Sequence, residues 1–390
     1  MSGSQSLTPM RFELTDEQQM VQSLAREFAE QEVKPVAAEC DREARFAHAT
    51  VKRMGELGLL GIAVPEKLGG GGADTLAYAL ALEEVAVACA SHAVVMSVNN
   101  SLVCDPLLKF GTPAQHERFL GPLASGRGLG CFALTEPQAG SDARNQTTLA
   151  RRDGDHYVLD GRKQFVTNGR ESTVALVFAQ TDPEKAHHGI SAFLVEKGTP
   201  GFLVPKVEDK LGLRASDTAE FVFEGCRVPA ANRLGAEGQG FKVAMQAIDS
   251  GRTGIAAQAV GIARAALEAS VAYAKERRSF GVPIGQHQMI QWMLADMATA
   301  VDAARLLTWR AALLKDRGKP YGTASSMAKL FASEAAMRVT TDAIQVHGGY
   351  GYIKEYPVER FFRDAKITQI YEGTSQIQRL VVARSLFETP

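Results

Sequence analysis

Glu372 lies in a segment whose composition could let a carboxylate move a proton. It stands in Ile370-Tyr-Glu-Gly-Thr-Ser-Gln-Ile-Gln-Arg-Leu380, where Gly373 allows a tight turn and Thr374 or Ser375 can cap the helix that follows. A carboxylate on such a turn can approach a substrate closely, and apolar surroundings would raise its pKa towards that of a general base working near neutral pH. A solvated loop glutamate would use the same residues. Two further segments have unusual chemistry. Phe132-Ala-Leu-Thr-Glu-Pro-Gln-Ala-Gly-Ser-Asp142 offers hydroxyls at Thr135 and Ser141 on a backbone bent by Pro137 and Gly140, although any turn draws on these residue types. Phe165-Val-Thr-Asn-Gly169 puts an aromatic wall next to a hydrogen-bonding edge, as a planar cofactor requires, and reads equally well as a hairpin turn.

Other chemistries are poorly supported. The chain has no GxGxxG after a strand, no HExxH, no G-x-S-x-G and no paired Cys/His cluster, so neither hydrolytic triads nor metal ligation finds its usual residues, and no metal is expected. The run Gly69 to Gly72 lacks the G-K-[ST] of a phosphate cradle and reads as a loop ending at the cap Asp74. The five cysteines form no C-x-x-C pair, which points to a reducing compartment.

The elements that must position these residues follow from length and pattern. At 390 residues, with 45% apolar and 22% charged residues, the chain exceeds the size at which one core usually keeps growing. Its 43 basic and 44 acidic residues leave no excess to hold nucleic acid or an anionic membrane. The opening third reads as helix, with a capping box at Thr15 and Gln18 and helical stretches around 46–58, 74–91 and 96–110. From Gly130 short β-type runs appear: Tyr157–Leu159, Phe165–Thr167, Val174–Phe178, Ala192–Val195, Phe202–Val204 and Ala219–Phe223. Asp153-Gly154, Asp160-Gly161, Pro200-Gly201 and Glu224-Gly225 read as the turns between them. After Gly235 the helical period returns, and Ile290, Met293, Leu294, Met297, Val301, Ala304 and Leu307 trace one apolar face. The reading is an α+β multidomain chain: a helical domain over 1–129, a central antiparallel β-barrel or sandwich over 130–234, and a four-helix-bundle domain over 235–390.

The uncharged stretch Val85 to Cys104 carries Ser91, His92, Ser97, Asn99, Asn100 and Ser101, too polar for hydrocarbon, so no membrane insertion is expected. The N-terminal residues show neither a secretory core nor an Arg-rich transit pattern. A cytoplasmic location is expected, or the mitochondrial matrix for a processed eukaryotic form.

Taken in order, Phe132–Asp142, Phe165–Gly169, Arg277-Arg-Ser-Phe-Gly281, Gln345-Val-His-Gly-Gly-Tyr-Gly351 and Tyr371-Glu-Gly-Thr-Ser375 resemble the acyl-CoA dehydrogenase family from about Thr15 to Leu386. The resemblance implies FAD as cofactor, held by Phe132, Leu134, Thr135, Ser141, Phe165, Thr167, Arg277, Ser279, Phe280, Gln288, Gln345, Gly349, Thr374 and Gln376, several of them serving a neighbouring subunit. It implies acyl-CoA contacts at Ser141, Asp249, Arg252, Tyr371 and Gly373, and Glu372 as the base. The implied reaction is α,β-desaturation, with the α-proton going to Glu372 and a hydride from the β-carbon to flavin N5. Phe165 stands where the family commonly has Trp, and Gln138 replaces a commoner glycine. Some relatives carry the acid at the position of Gly251, which is empty of acid here. Val94 to Leu108 holds no Arg or Lys to pair a second carboxylate. With the likeness of Met96–Leu102 and Leu306–Arg310 to short-chain members, this favours a short saturated acyl-CoA such as butyryl-CoA. Branched or medium-chain acyl-CoAs, an acyl-CoA oxidase, and a non-catalytic acyl-CoA-binding scaffold are the alternatives. The implied partners are electron-transfer flavoprotein and further copies of the chain, a tetramer by resemblance.

Overall fold

The computed structural model describes residues 13–387; the N-terminal reading over residues 1–12 lies outside them. Helices occupy the first third. Thr15 and Gln18 form the expected capping box of Asp16–Phe28, each side chain taking up the other's backbone N–H. Asp74 caps Thr75–Ala88 through a bond from the Ala77 N–H at 2.7 Å. The polar residues of Val85–Cys104 lie inside the protein. Asn99 and Asn100 sit in a π-helical turn, Val98–Cys104. Their amides bond the backbone of Leu59, Leu60, Ile62, Leu123 and Gly130, tying loops on either side to this helix.

The middle of the chain is one continuous eight-stranded sheet: β1 (Gly130–Ala133), β2 (Leu149–Asp153), β3 (His156–Thr167), β4 (Val174–Gln180), β5 (Ile190–Glu196), β6 (Phe202–Val207), β7 (Thr218–Pro229) and β8 (Arg233–Leu234). Its order is β6-β7-β3-β2-β4-β5-β8, with β1 beside β4. Most pairs are antiparallel. The β1–β4 pair and the single β2–β4 contact are parallel, so the sheet is mixed. Burial alternates along β3, whereas β4 is buried throughout, packed on both faces. The runs Tyr157–Leu159 and Phe165–Thr167, expected as separate strands, are the two ends of β3. Asp160-Gly161 therefore makes no turn: it marks a register shift within the β3–β7 ladder.

Three long helices follow, Gly240–Glu276, Gln288–Asp316 and Gly322–His347, then Val358–Ile367 and Ser375–Ser385. Gly240–Glu276 is long and apolar enough to cross a membrane by composition, but here it is a core helix, with the face from Ser250 to Ala263 wholly buried. Of the apolar stripe on Gln288–Asp316, Met297, Val301 and Ala304 are buried, and Leu294 and Leu307 pack against the same core. The terminal helix begins at the Thr374 cap, which leaves Glu372 and Gly373 as the turn aimed at the middle of the protein.

Candidate active site

The turn before the last helix is left-handed at two successive residues, with φ of 53° at Glu372 and 91° at Gly373. The first is costly for a residue with a side chain, about 1–2 kcal/mol, and persists because the surroundings determine it. Gln378 Nε2 donates to the carbonyls of Glu372 (3.1 Å) and Gly373 (2.9 Å), and Lys329 Nζ donates to that of Gly373 (2.5 Å). A Cβ on Gly373 would fall 2.7 Å from Gln378 Nε2, the end of a flexible side chain, so it is the left-handed backbone that calls for glycine there.

The strained turn delivers the Glu372 carboxylate to the inner wall of a cavity of about 640 Å³. Part of the residue faces the cavity, while Oε2 is buried with no hydrogen-bond partner. Burial pushes the carboxyl up to about 8, against the opposing pull of the Lys329 and Arg252 charges. An acid buried without a partner at the end of a cavity is the arrangement a proton-abstracting base needs. Gly251, on the helix Gly240–Glu276, makes the space. A Cβ there would lie 2.1 Å from Glu372 Oε2 and 2.8 Å from Leu102 Cδ2.

The other walls contain what the sequence singled out and some of what it did not. Thr135, Ser141, Phe165, Thr167, Tyr371, Gly373 and Thr374 line this cavity with Glu372. Phe165 is left-handed (φ 57°) and leaves its ring 64% exposed. Hydroxyls gathered around an exposed aromatic face fit a flat ring system with a polar edge, as the isoalloxazine of FAD has. Phe132 and Leu134 lie beneath the loop instead of on the cavity wall. Phe132 packs on Phe178 with ring centroids 4.9 Å apart, and Leu134 is buried. The loop above them is pinned by a buried ion pair, Lys163–Glu136 at 2.7 Å. Lys163 also donates to Leu134 O and Gln146 Oε1, and Glu136 accepts from both backbone and hydroxyl of Thr147 and from the Thr148 N–H.

Asp249 and Arg252 lie off the cavity wall. Arg252 is buried, bonded to Asp249 at 2.7 Å and Ser326 at 3.3 Å, and it faces Glu372 electrostatically. The Tyr371 hydroxyl donates to Gln258 Oε1, whose amide in turn donates to Ala90 O, closing the space behind the turn with polar groups. The wall formed by Glu208–Leu213 was not singled out by sequence. Asp364 holds it by accepting from the Leu213 N–H at 2.7 Å, and its only local signal is an acid on an otherwise apolar helix face. Lys329 was missed as well.

Arg277, Ser279 and Gly349 line a second cavity of about 480 Å³ with Tyr273, His347 and Tyr350, sharing no residue with the first. Arg277 lies over the Tyr350 ring at 5.2 Å, and this cationic, glycine-bordered surface suits an anionic nucleotide. Phe280 (94% exposed), Gln288, Gln345 and Gln376 are exposed and line neither cavity.

Three family models match the chain: the N-terminal domain of acyl-CoA dehydrogenases over residues 15–127, the middle domain over 131–226 and the C-terminal domain over 238–387. The chain belongs to the acyl-CoA dehydrogenase family. Among curated relatives, the mitochondrial short-chain specific acyl-CoA dehydrogenase of Mus musculus is 55% identical, covering 97% of this chain and 92% of its own. Among solved structures, the butyryl-CoA dehydrogenase of Megasphaera elsdenii superposes with a TM-score of 0.96 at 48% identity, over 97% of this chain and 100% of that one. A chain in the structure of the electron transferring flavoprotein of Acidaminococcus fermentans superposes with a TM-score of 0.97 at 51% identity, over 97% and 100%. Acyl-CoA dehydrogenases are flavoenzymes with FAD as cofactor.

Proposed function

We propose that this protein catalyses FAD-dependent α,β-dehydrogenation of short-chain acyl-CoA, with Glu372 as the base that takes the α-proton. The observation that carries the assignment is the Glu372 carboxylate, buried without a hydrogen-bond partner at the inner end of the cavity. The names of the mouse and Megasphaera relatives support the short-chain substrate.

When bound, FAD supplies the two-electron acceptor for the reaction. Phe165 would flank its ring, with Thr135, Ser141, Thr167 and Thr374 near the polar edge, and Arg277, Ser279 and Gly349 on the nucleotide side. The residues of the chain do the rest. Glu372 accepts the proton at its free oxygen, and its backbone N–H can bond the thioester oxygen as negative charge develops there, an interaction of the kind worth roughly 3–4 kcal/mol. Burial shields its Oε2 from water. The stretch Val94–Leu108 carries no Arg or Lys to pair with a second carboxylate, which disfavours a dicarboxylyl substrate. Electron-transfer flavoprotein takes the electrons on, consistent with the Acidaminococcus structure. We place the protein in the cytoplasm, or in the mitochondrial matrix for a processed eukaryotic form, which cell fractionation can check.

Glu372→Gln keeps the shape of the side chain and removes the base. We expect it to retain flavin and bind butyryl-CoA while anaerobic bleaching of the flavin slows by orders of magnitude. Rapid bleaching in that variant would refute the assignment. The same titration with acyl-CoAs of graded length and branching sets the chain preference. Peroxide formation matching turnover would instead mark an oxidase, and a colourless purified protein a scaffold.

A further inference from the structure

Two lysines are wholly buried among the described residues, and they differ in what surrounds them. Lys163 donates to three oxygens, one of them the Glu136 carboxylate, which accounts for its burial. Lys329, on the inner face of Gly322–His347, has a single hydrogen-bond acceptor among the described residues, the carbonyl of Gly373 immediately after the base. A buried ammonium with one acceptor is a poor structural element. Its position suggests another role. Gln378 already holds the carbonyls of both Glu372 and Gly373, so the turn does not depend on Lys329 alone, and what Lys329 adds is charge.

We propose that Lys329 is a positioning residue for Glu372, steadying through one hydrogen bond the turn that aims the carboxylate and presenting it with a buried counter-charge. The inference rests on Glu372 being the base. The other groups facing the carboxyl are Arg252, paired with Asp249, from the long helix, Tyr78 from Thr75–Ala88, and Tyr371 from the turn itself. All remain when Lys329 is changed. Burial opposes the charge on both groups, lowering Lys329 and raising Glu372, while their mutual attraction favours the ion pair, so the two titrate as one coupled site. A positive neighbour favours the carboxylate, so its removal must move ionisation of Glu372 to higher pH.

The test is the pH profile of anaerobic flavin bleaching by butyryl-CoA in the flavin-loaded oligomer, for wild type, Lys329→Met, Lys329→Gln and Lys329→Arg. In the first two variants we expect the rising limb to shift upward by about one unit, so that below the wild-type midpoint the rate falls about tenfold. Lys329→Arg should move it back. Infrared titration of the Glu372 carboxyl in substrate-free protein, assigned by its loss in Glu372→Gln, should read the same shift. Profiles superposing on wild type, or failure of both neutral variants to hold flavin, would overturn the proposal. Fast bleaching in Glu372→Gln would instead remove the base assignment itself, which separates the two failures.

Discussion

Gly251 and Glu372 compete for one volume. With a Cβ on Gly251 only 2.1 Å from Glu372 Oε2, even alanine must push the carboxylate aside. We expect Gly251→Ala to keep its flavin and fold, since the Cβ meets Glu372 and Leu102 and none of Thr135, Phe165 or Thr167, yet to lose at least about 10²-fold in the bleaching rate, the scale on which a 1 Å misplacement of a catalytic group acts. Flavin absorbance for content and stopped-flow bleaching for rate would check this, and an unchanged rate would mean the carboxylate can work from another position. The geometry also accounts for a feature of the sequence: an acid at 251 and an acid at 372 would point into the same space, so a chain carries one of them. Gly373 and the Thr374 cap announce a turn, but it was the family resemblance that marked Glu372 on it as the base. Lys329 was not legible. It sits in a long regular helix where nothing local marks it, and only the approach of that helix to the final turn gives it meaning.

At the scale of the element, β3 and the loop after β1 form one device. Lys163 projects from β3 beneath the loop and, with Glu136, holds the backbone that carries Thr135. Although burial opposes its ionisation, the Lys163 charge and the bonds from Thr147 and Thr148 hold the Glu136 carboxyl down at about 2. Removing one partner of a buried pair typically costs 3–5 kcal/mol, because the other charge is left uncompensated. Lys163→Met should therefore lower the thermal midpoint and weaken FAD retention together, whereas Lys163→Met combined with Glu136→Leu should recover much of the stability but not the loop geometry. Calorimetry and flavin release on dilution would check both. The strand runs, caps and bundle stripe could be read from periodicity. β1 and β2 could not, since four or five residues of mixed character carry too little pattern. Asp160-Gly161 misled because the dipeptide that makes a turn also accommodates a register shift.

At the scale of the molecule, the flavin-side and nucleotide-side residues line two separate cavities. A cofactor held by the first cavity of one chain and the Arg277 surface of another would explain why large apolar groups lie open nearby: Phe280 at 94%, Tyr352 at 87%, Met289 at 62% and Trp292 at 61% exposure. We expect light scattering to give a mass of about four chains, and Arg277→Ala to lose FAD on dilution while its Glu372 cavity stays intact. A monomer that keeps FAD would contradict this.

Motif order and residue type, which survive without coordinates, were enough to determine the three-part organisation, the carboxylate and the aromatic wall, because glycines, caps and periodicity act over a few neighbours. Only the tertiary structure decided that Gly251 vacates the space Glu372 fills, that Phe132 and Leu134 lie beneath their loop, and that Lys329 stands behind the base. Those are contacts between elements far apart in the chain, and burial, which sets their electrostatics, exists only once the elements are packed.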